Sequence, residues 1–232
     1  MPHFFKTSTV LSVFIIFAAA PAFAADMPVK APLHKSETFA GRWYIEGRLG
    51  GPLLKNYNVD IGGGTGPGSY KAGSGISGAF DVGYQFTPNW RAEVEFTATE
   101  ARDGNLQLGA TNLAHTGRTN VYSVGLNGFY SFDLAPMFRP FIGAGVGFAN
   151  YRVNNLGAVG GTFVINDSRT TAGFLLHAGF DIPIGRQFAL TARYSLAYTG
   201  SMTFASVPAG NATTRGATYD NLFTGGLRYY LN

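Results

Sequence analysis

The fold is decided by the stretch ISGAFDVGYQFTPNWRAEVEFTAT, which spans residues 76–99. Within each half of this stretch, apolar residues or Gly occupy the even positions, and small or polar residues occupy the odd positions. This period of two predicts two β-strands, 76–86 and 90–99, each with one apolar face. Because residues 87–89 form a short Thr-Pro-Asn turn, the two strands are expected to pair as an antiparallel hairpin.

The same period of two recurs along the chain and predicts six more strands. They cover residues 42–50, 120–132, 139–150, 171–182, 187–198 and 219–231. Short turns at 87–89, 133–138 and 183–186 alternate with long, Gly-rich and polar loops predicted at 51–74, 100–119, 151–170 and 199–218. Tight periplasmic turns that alternate with longer extracellular loops are typical of outer-membrane barrels. The predicted fold is therefore all-β, an eight-stranded antiparallel transmembrane β-barrel with up-and-down topology over residues 41–232.

Charged side chains are confined to one face of the predicted strands. The apolar faces contain no Asp, Glu, Lys or Arg, and a charge facing lipid would cost about 2–4 kcal/mol at the bilayer centre. A soluble lipocalin-like barrel is the alternative, but it turns its apolar face inward around a ligand. The nine charges on the opposite faces are predicted to pair as a lumen charge network: Glu46, Arg48, Asp81, Arg91, Glu93, Glu95, Asp181, Arg193 and Arg228.

Aromatic residues gather at the ends of the apolar faces. Such belts place amphipathic rings at the level of the lipid headgroups. One interface is predicted to carry Trp43, Phe86, Trp90, Phe132, Phe188 and Tyr229, and the other Tyr122, Phe148, Tyr198 and Phe223.

The first 24 residues have the pattern of a secretory signal peptide. Lys6 precedes an apolar run that is too short to span a bilayer, and small residues before Ala25 favour cleavage after Ala24. The predicted domains are a signal peptide at 1–24, a periplasmic leader at 25–40 and the outer-membrane barrel at 41–232. The predicted localisation is the outer membrane of a Gram-negative cell.

Composition excludes several classes of function. The chain has no Cys, so it can form neither a disulfide framework nor a thiolate metal site. Its net charge is +4, but the positive residues are scattered and form no basic run, so nucleic acid is not an expected partner. We expect no metal and no cofactor.

Three segments resemble a known family. These are ADMPVKAP at 25–32, RPFIGAGVG at 139–147 and GGLRYY at 225–230. They are similar to segments of alphaproteobacterial outer-membrane proteins of the Brucella 25/31-kDa type, which are OmpA-like eight-stranded barrels often labelled "porin family". The resemblance implies a surface barrel inserted by the barrel-assembly machinery, and some relatives are reported to bind haemin. The family usually ends in an aromatic residue. This chain instead has Leu231 on the apolar face of the last predicted strand, followed by Asn232.

These observations favour a non-enzymatic surface barrel with a structural or interaction role and a mostly plugged lumen. Its expected partners are outer-membrane lipids, lipopolysaccharide and the assembly machinery. One alternative is a small-solute pore, and another is a haemin or host-factor receptor. For the receptor, His115 is the candidate haem ligand, together with Tyr57, Tyr70 and Tyr151. A lipid A enzyme built on His115, Ser123 and Glu100 has no supporting pattern, so no catalytic residue is predicted.

Overall fold

The computed structural model of the chain describes residues 39–53, 56–61, 66–108, 111–135, 137–158, 164–207, 212–215 and 217–231. The predicted signal peptide, 1–24, and all but the last two residues of the predicted leader, 25–40, lie outside the described residues. Among the described residues there is no helix long and apolar enough to cross a membrane.

Regular structure in the described residues consists of eleven β-strands. They are β1 (Arg42–Pro52), β2 (Asn56–Ile61), β3 (Gly66–Gln85), β4 (Trp90–Leu108), β5 (Thr111–Ser131), β6 (Arg139–Ala158), β7 (Val164–Ile184), β8 (Phe188–Thr199), β9 (Met202–Val207), β10 (Ala212–Arg215) and β11 (Thr218–Tyr230).

Eight of these strands close into an antiparallel barrel, here called the lower ring. They pair in the order β1-β11-β8-β7-β6-β5-β4-β3, and β1 pairs in turn with β3, for example Ile45 with Val82. Closure leaves no strand with an unpaired edge, which is the condition for crossing hydrocarbon. The predicted eight-stranded transmembrane barrel is confirmed.

The short turns also lie where the sequence predicts them. β3 ends at Gln85 and β4 begins at Trp90, and the backbone N–H of Phe86 donates to the carbonyl of Trp90 at 2.9 Å. In the third turn Gly185 has a φ of 71°, a left-handed conformation that Gly adopts without steric cost. These turns, the start of β1 and the end of β11 lie at the same end of the lower ring. Outer-membrane barrels have their short turns on the periplasmic side, so this end is called the periplasmic end.

The prediction that 51–74, 100–119, 151–170 and 199–218 form long loops was wrong, because much of each segment is strand. β3 to β7 are 19 to 21 residues long and extend well beyond the lower ring. At this extracellular end the pairing order is β3-β2-β10-β9-β7. The short strands β2, β10 and β9 thus take over from β1, β11 and β8 and close a second, upper ring with the extensions of β3 to β7.

The reason for this continuation is an apolar cluster inside the upper ring. Its side chains point inward from β6, β7 and β9, and they are buried together: Tyr151, Val153, Ile165, Met202 and Phe204. In β6 the polarity therefore reverses. Below this level the outward residues, such as Phe148, are apolar, whereas above it the outward residues Asn150 and Arg152 are polar. Where its side chains are described, on β6, β7 and β9, the upper ring has its apolar side chains inside, as a water-soluble barrel does.

The outward face of the lower ring is apolar and exposed, as a lipid-facing wall requires. Leu49, Leu126 and Val146 are among its most exposed side chains. The aromatic residues predicted for the interfaces pack in neighbouring pairs. Trp90 lies edge-on to Tyr130 with ring centroids 5.1 Å apart, Phe188 lies 4.9 Å from Tyr229, and Tyr198 stacks on Phe174 at 4.7 Å. Trp43, Phe86 and Phe132 are exposed at the ends of their strands.

We predict that Leu126→Arg lowers the free energy of unfolding by about 2–4 kcal/mol, because Leu126 lies midway along the apolar, outward-facing part of β5, between Tyr122 and Tyr130. Urea unfolding of the barrel refolded into lipid vesicles measures this change. The matched control is Leu134→Arg, which places the same residue in an exposed periplasmic turn, where little change is expected. Equal tolerance of Arg at both sites would contradict a lipid-facing wall.

Candidate functional site

The candidate functional site is the interior of the lower ring, because it holds a dense group of charged side chains. Each of the nine lumen charges named from the sequence is at most 5% exposed. They lie on six strands: Glu46 and Arg48 on β1, Asp81 on β3, Arg91, Glu93 and Glu95 on β4, Asp181 on β7, Arg193 on β8 and Arg228 on β11. Because inward and outward positions alternate along a strand, all nine side chains point into the lumen. Their neighbours along each strand, which point outward, are apolar or small.

Arg193 spans the barrel axis. It projects from β8, and β4 lies four strands away around the lower ring in either direction. Its Nη1 atom is 2.5 Å from Oε1 of Glu93 and 3.0 Å from Oε2 of Glu95. Its Nη2 atom is 3.3 Å from Oε1 of Glu46 on β1. One guanidinium therefore ties opposite walls of the barrel together.

The other three arginines connect further strands. Arg48 places Nε 2.8 Å from Oδ2 of Asp81 and Nη2 2.6 Å from Oε2 of Glu95. Arg228 donates from Nε to Glu46 at 2.6 Å and from Nη1 to Asp181 at 2.8 Å. Nη1 of Arg91 lies 3.2 Å from Oδ2 of Asp181. The nine side chains form one continuous network.

Three of the carboxylates, on Glu46, Asp81 and Glu93, have oxygens within 4.8 Å of one another, close enough to share a cation. Arg48, Arg193 and Arg228 already contact these carboxylates. The guanidinium groups thus supply the positive charge that a metal ion would otherwise provide at this position.

Aromatic rings occupy the lumen at β5 and β6, the two strands of the lower ring that carry none of the nine charges. Phe129 of β5 and Phe141 of β6 are buried with their centroids 5.6 Å apart. The guanidinium carbon of Arg91 lies 4.5 Å from the first ring centroid and 4.4 Å from the second, in the range of cation–π attraction. Gly143 makes room for them, because a Cβ there would collide with the Phe129 ring.

Sequence reasoning missed an aromatic cluster at the periplasmic end of the lumen. Phe39, just before β1, stacks on Tyr230 with centroids 4.0 Å apart. Tyr44 is fully buried and donates its hydroxyl proton to Glu93 at 2.8 Å. Tyr44 shares the inward parity of Glu46, so strand phase was the signal that could have identified it.

The four candidate haem ligands lie in β-strands, not in the long loops where the sequence predicted them. His115 lies in β5 opposite Ala158, with its side chain outside the described residues. Tyr151 is buried in β6 and donates its hydroxyl proton to Asp220 at 2.7 Å. Tyr57 and Tyr70 pair through the β2–β3 backbone, and their side chains also lie outside the described residues.

Ser123 and Glu100, considered for an enzyme, lie on opposite faces of the wall. Ser123 shares the inward parity of Asn127, whereas Glu100 shares the outward parity of Phe96. Elsewhere in the lumen His177 is buried, and its Nδ1 atom lies 2.9 Å from the hydroxyl of Ser195.

The chain is similar to several solved structures of outer-membrane or surface proteins at low sequence identity. OprG from Pseudomonas aeruginosa is 13% identical and aligns over 83% of this chain and 97% of its own, with a TM-score of 0.59. AlkL, solved in DMPC bilayers, is 14% identical over 92% of this chain and 96% of its own, with a TM-score of 0.50. Neisserial surface protein A is 17% identical over 81% of this chain and 96% of its own, with a TM-score of 0.49.

Comparison with curated proteins gives no match. The family described as "Outer membrane protein beta-barrel domain" matches residues 10–232, which is nearly the whole chain. With the closed eight-stranded ring and its apolar outer wall, this match identifies the protein as a member of that family of Gram-negative outer-membrane barrels.

Proposed function

We propose that this protein is a non-enzymatic outer-membrane barrel with a structural and surface-contact role and a mostly plugged lumen. The observation that best supports this proposal is the contact of Arg193 with Glu93 across the barrel axis. An eight-stranded barrel has little interior volume beyond its own side chains. Here ion pairs cross one side of that interior, and Phe129 and Phe141 occupy the other.

Two further layers support a closed lumen. Phe39 and Tyr230 stack on the periplasmic side of the lumen charges. The apolar cluster of the upper ring lies on their extracellular side. An ion would have to leave water, pass these apolar side chains and then disrupt paired charges. Removing one partner of a buried ion pair is strongly destabilising, since it leaves an uncompensated charge. The arrangement therefore favours a scaffold over a conduit.

A small-solute pore is the second candidate. It is favoured by one feature, an excess of carboxylates, because the nine lumen charges comprise five acidic and four basic groups. A negative lumen would select cations if a path opened. The haemin-receptor alternative has less support, because the Tyr151 hydroxyl is buried and bonded to Asp220.

The finer family assignment and the partners are part of the proposal. The segment RPFIGAGVG forms the first half of β6, and GGLRYY forms the last part of β11. Their resemblance supports a protein of the alphaproteobacterial Brucella 25/31-kDa type, exported by the signal peptide at 1–24 and inserted by the barrel-assembly machinery. Outer-membrane lipids and lipopolysaccharide would surround its apolar wall.

Neutralising Arg193 should cost more than neutralising a surface arginine. We expect Arg193→Met to lower the free energy of unfolding by about 3–5 kcal/mol, because Glu93 would keep a buried charge without its partner. The double variant with Glu93→Gln should recover part of that loss. The control is Arg169→Met, which breaks a partly exposed pair with Asp167 and should cost at most about 1 kcal/mol. Equal costs for both arginines, measured by urea unfolding, would argue against a tightly paired lumen.

Conduction decides between the two candidate functions. Verified monomers in planar bilayers should show no stable large pore, and at most small and infrequent openings, because side chains fill the lumen. Arg193→Met should lose stability without gaining current, since Phe129 and Phe141 remain in place. Large, steady wild-type currents would overturn the plugged lumen and favour the pore. A steady current that appears in Arg193→Met alone would indicate that the ion pairs of Arg193 hold a conducting path closed.

The last described residue bears on insertion. Leu231 is partly exposed, and its backbone N–H donates to the carbonyl of Trp43 at 2.8 Å. If the assembly machinery recognises an aromatic residue at the end of the last strand, Leu231→Phe should increase the fraction of folded barrel in outer membranes, read from heat-dependent gel mobility. Leu227→Phe, on the same face of β11 but further from the end of the strand, is the matched control and should not. If the two variants respond equally, the added aromatic side chain itself, and not its recognition at position 231, governs insertion.

A further inference from the structure

Three arginines project outward from neighbouring strands at the extracellular side of the lower ring. They are Arg102 on β4, Arg118 on β5 and Arg152 on β6, and we call them the arginine triad. Arg102 lies directly opposite Arg118 in the sheet, and Arg152 lies opposite Asn120, two residues along β5 from Arg118. All three are exposed.

Strand parity fixes the direction of these side chains. No register shift separates the triad from Phe96, Tyr122 and Phe148, which lie on the same face and are exposed to lipid. Arg118 and Arg152 lie four residues beyond Tyr122 and Phe148, respectively. At about 3.3 Å per residue and a tilt of about 40°, this is roughly 10 Å further along the membrane normal. The triad therefore starts at the level of the outer-leaflet headgroups.

The triad carries more positive charge than its neighbours compensate. Like charges directly opposite each other destabilise a sheet, and Arg102 faces Arg118 in this way. Among the side chains that the structure describes, the ion pair of the triad is Nη1 of Arg118 with Oε1 of Glu100, at 3.5 Å. Among the described side chains, three guanidinium groups therefore have one carboxylate as their counter-charge. Both members of the Arg118–Glu100 pair are well exposed.

Arg152 is held in place by neutral groups. Its guanidinium carbon lies 5.6 Å from the Tyr122 ring centroid, and its Nε donates to Oδ1 of Asn150 at 3.2 Å. Asn150 is oriented in turn, because its Nδ2 donates to the hydroxyl of Thr170 at 2.9 Å. These contacts place the guanidinium charge beside the aromatic belt. These contacts involve Nε of Arg152 and the face of its guanidinium group. The terminal amino groups, Nη1 and Nη2, have no hydrogen bond to a described residue.

We propose that the arginine triad is a binding site for the phosphate groups of lipopolysaccharide in the outer leaflet. Planar guanidinium groups bind phosphate through paired, charge-assisted hydrogen bonds. An anion between Arg102 and Arg118 would relieve their repulsion, and acyl chains of the same molecule would lie on the apolar wall below. The site lies outside the barrel and is independent of whether the lumen is closed.

The test uses the full mature chain refolded in detergent and titrated with bisphosphorylated lipid A, with the bound fraction read by native mass spectrometry. The variant is Arg102→Gln with Arg118→Gln. Its matched control is Arg42→Gln with Arg186→Gln, two arginines in mutual contact at the periplasmic end. We expect the triad variant to bind lipid A about tenfold more weakly and the control to bind like the wild type. Heat-dependent gel mobility verifies that every variant is folded.

Two further ligands identify what the site recognises. Dephosphorylated lipid A with the same acyl chains should bind the wild type as weakly as lipid A binds the triad variant. Inorganic phosphate should not displace lipid A at equal concentration. The proposal is overturned if the triad variant and the control lose the same affinity, or if neither loses any. It is also overturned if dephosphorylated lipid A binds equally well, or if inorganic phosphate competes, which would indicate a site for free anions.

Discussion

Hydrocarbon offers no hydrogen-bond partner to the backbone, and every other feature of this protein depends on that constraint. Each unpaired N–H or C=O inside the bilayer would cost several kcal/mol, so the sheet has to close on itself. The pairing of β1 with β3 achieves this closure. Once the ring is closed, alternation forces half of the side chains toward lipid and the other half into a narrow interior.

The interior then sets its own conditions. Long charged and aromatic side chains fit inside an eight-stranded ring only where other inward positions are small. Gly143 and Gly179 serve this purpose, because a Cβ at either position would collide with Phe129 or Phe141. Since these side chains are buried, the charges must pair with one another. The spanning contact of Arg193 with Glu93 is therefore a consequence of strand number and side-chain length together.

Much of the lower ring could be predicted from the sequence, because a period of two marks both the strands and their inward residues. Glu93 and Arg193 were both identified as lumen residues in this way. Their pairing could not be predicted, since they are 100 residues apart and meet only through the register and closure of the whole ring.

The upper ring could not be predicted for a different reason. In β6 the apolar positions change face between Phe148 and Tyr151, because the outside of the wall passes from lipid into water. A strand predicted from one continuous apolar face therefore ends at this reversal. The rest of β6, up to Ala158, is then predicted to be a loop. The arginine triad lies just past the same reversal, so its outward direction also depends on knowing that the strands continue.

The breaks between the two rings make the surface of this protein modular. β1, β8 and β11 stop at nearly the same height, and β2, β9 and β10 resume the wall with a ladder of their own. Insertions, deletions or substitutions in that three-stranded panel leave the hydrogen bonds of the bilayer-spanning ring untouched. The panel can thus change in sequence and in length over evolution, while the membrane anchor below it is inherited unchanged.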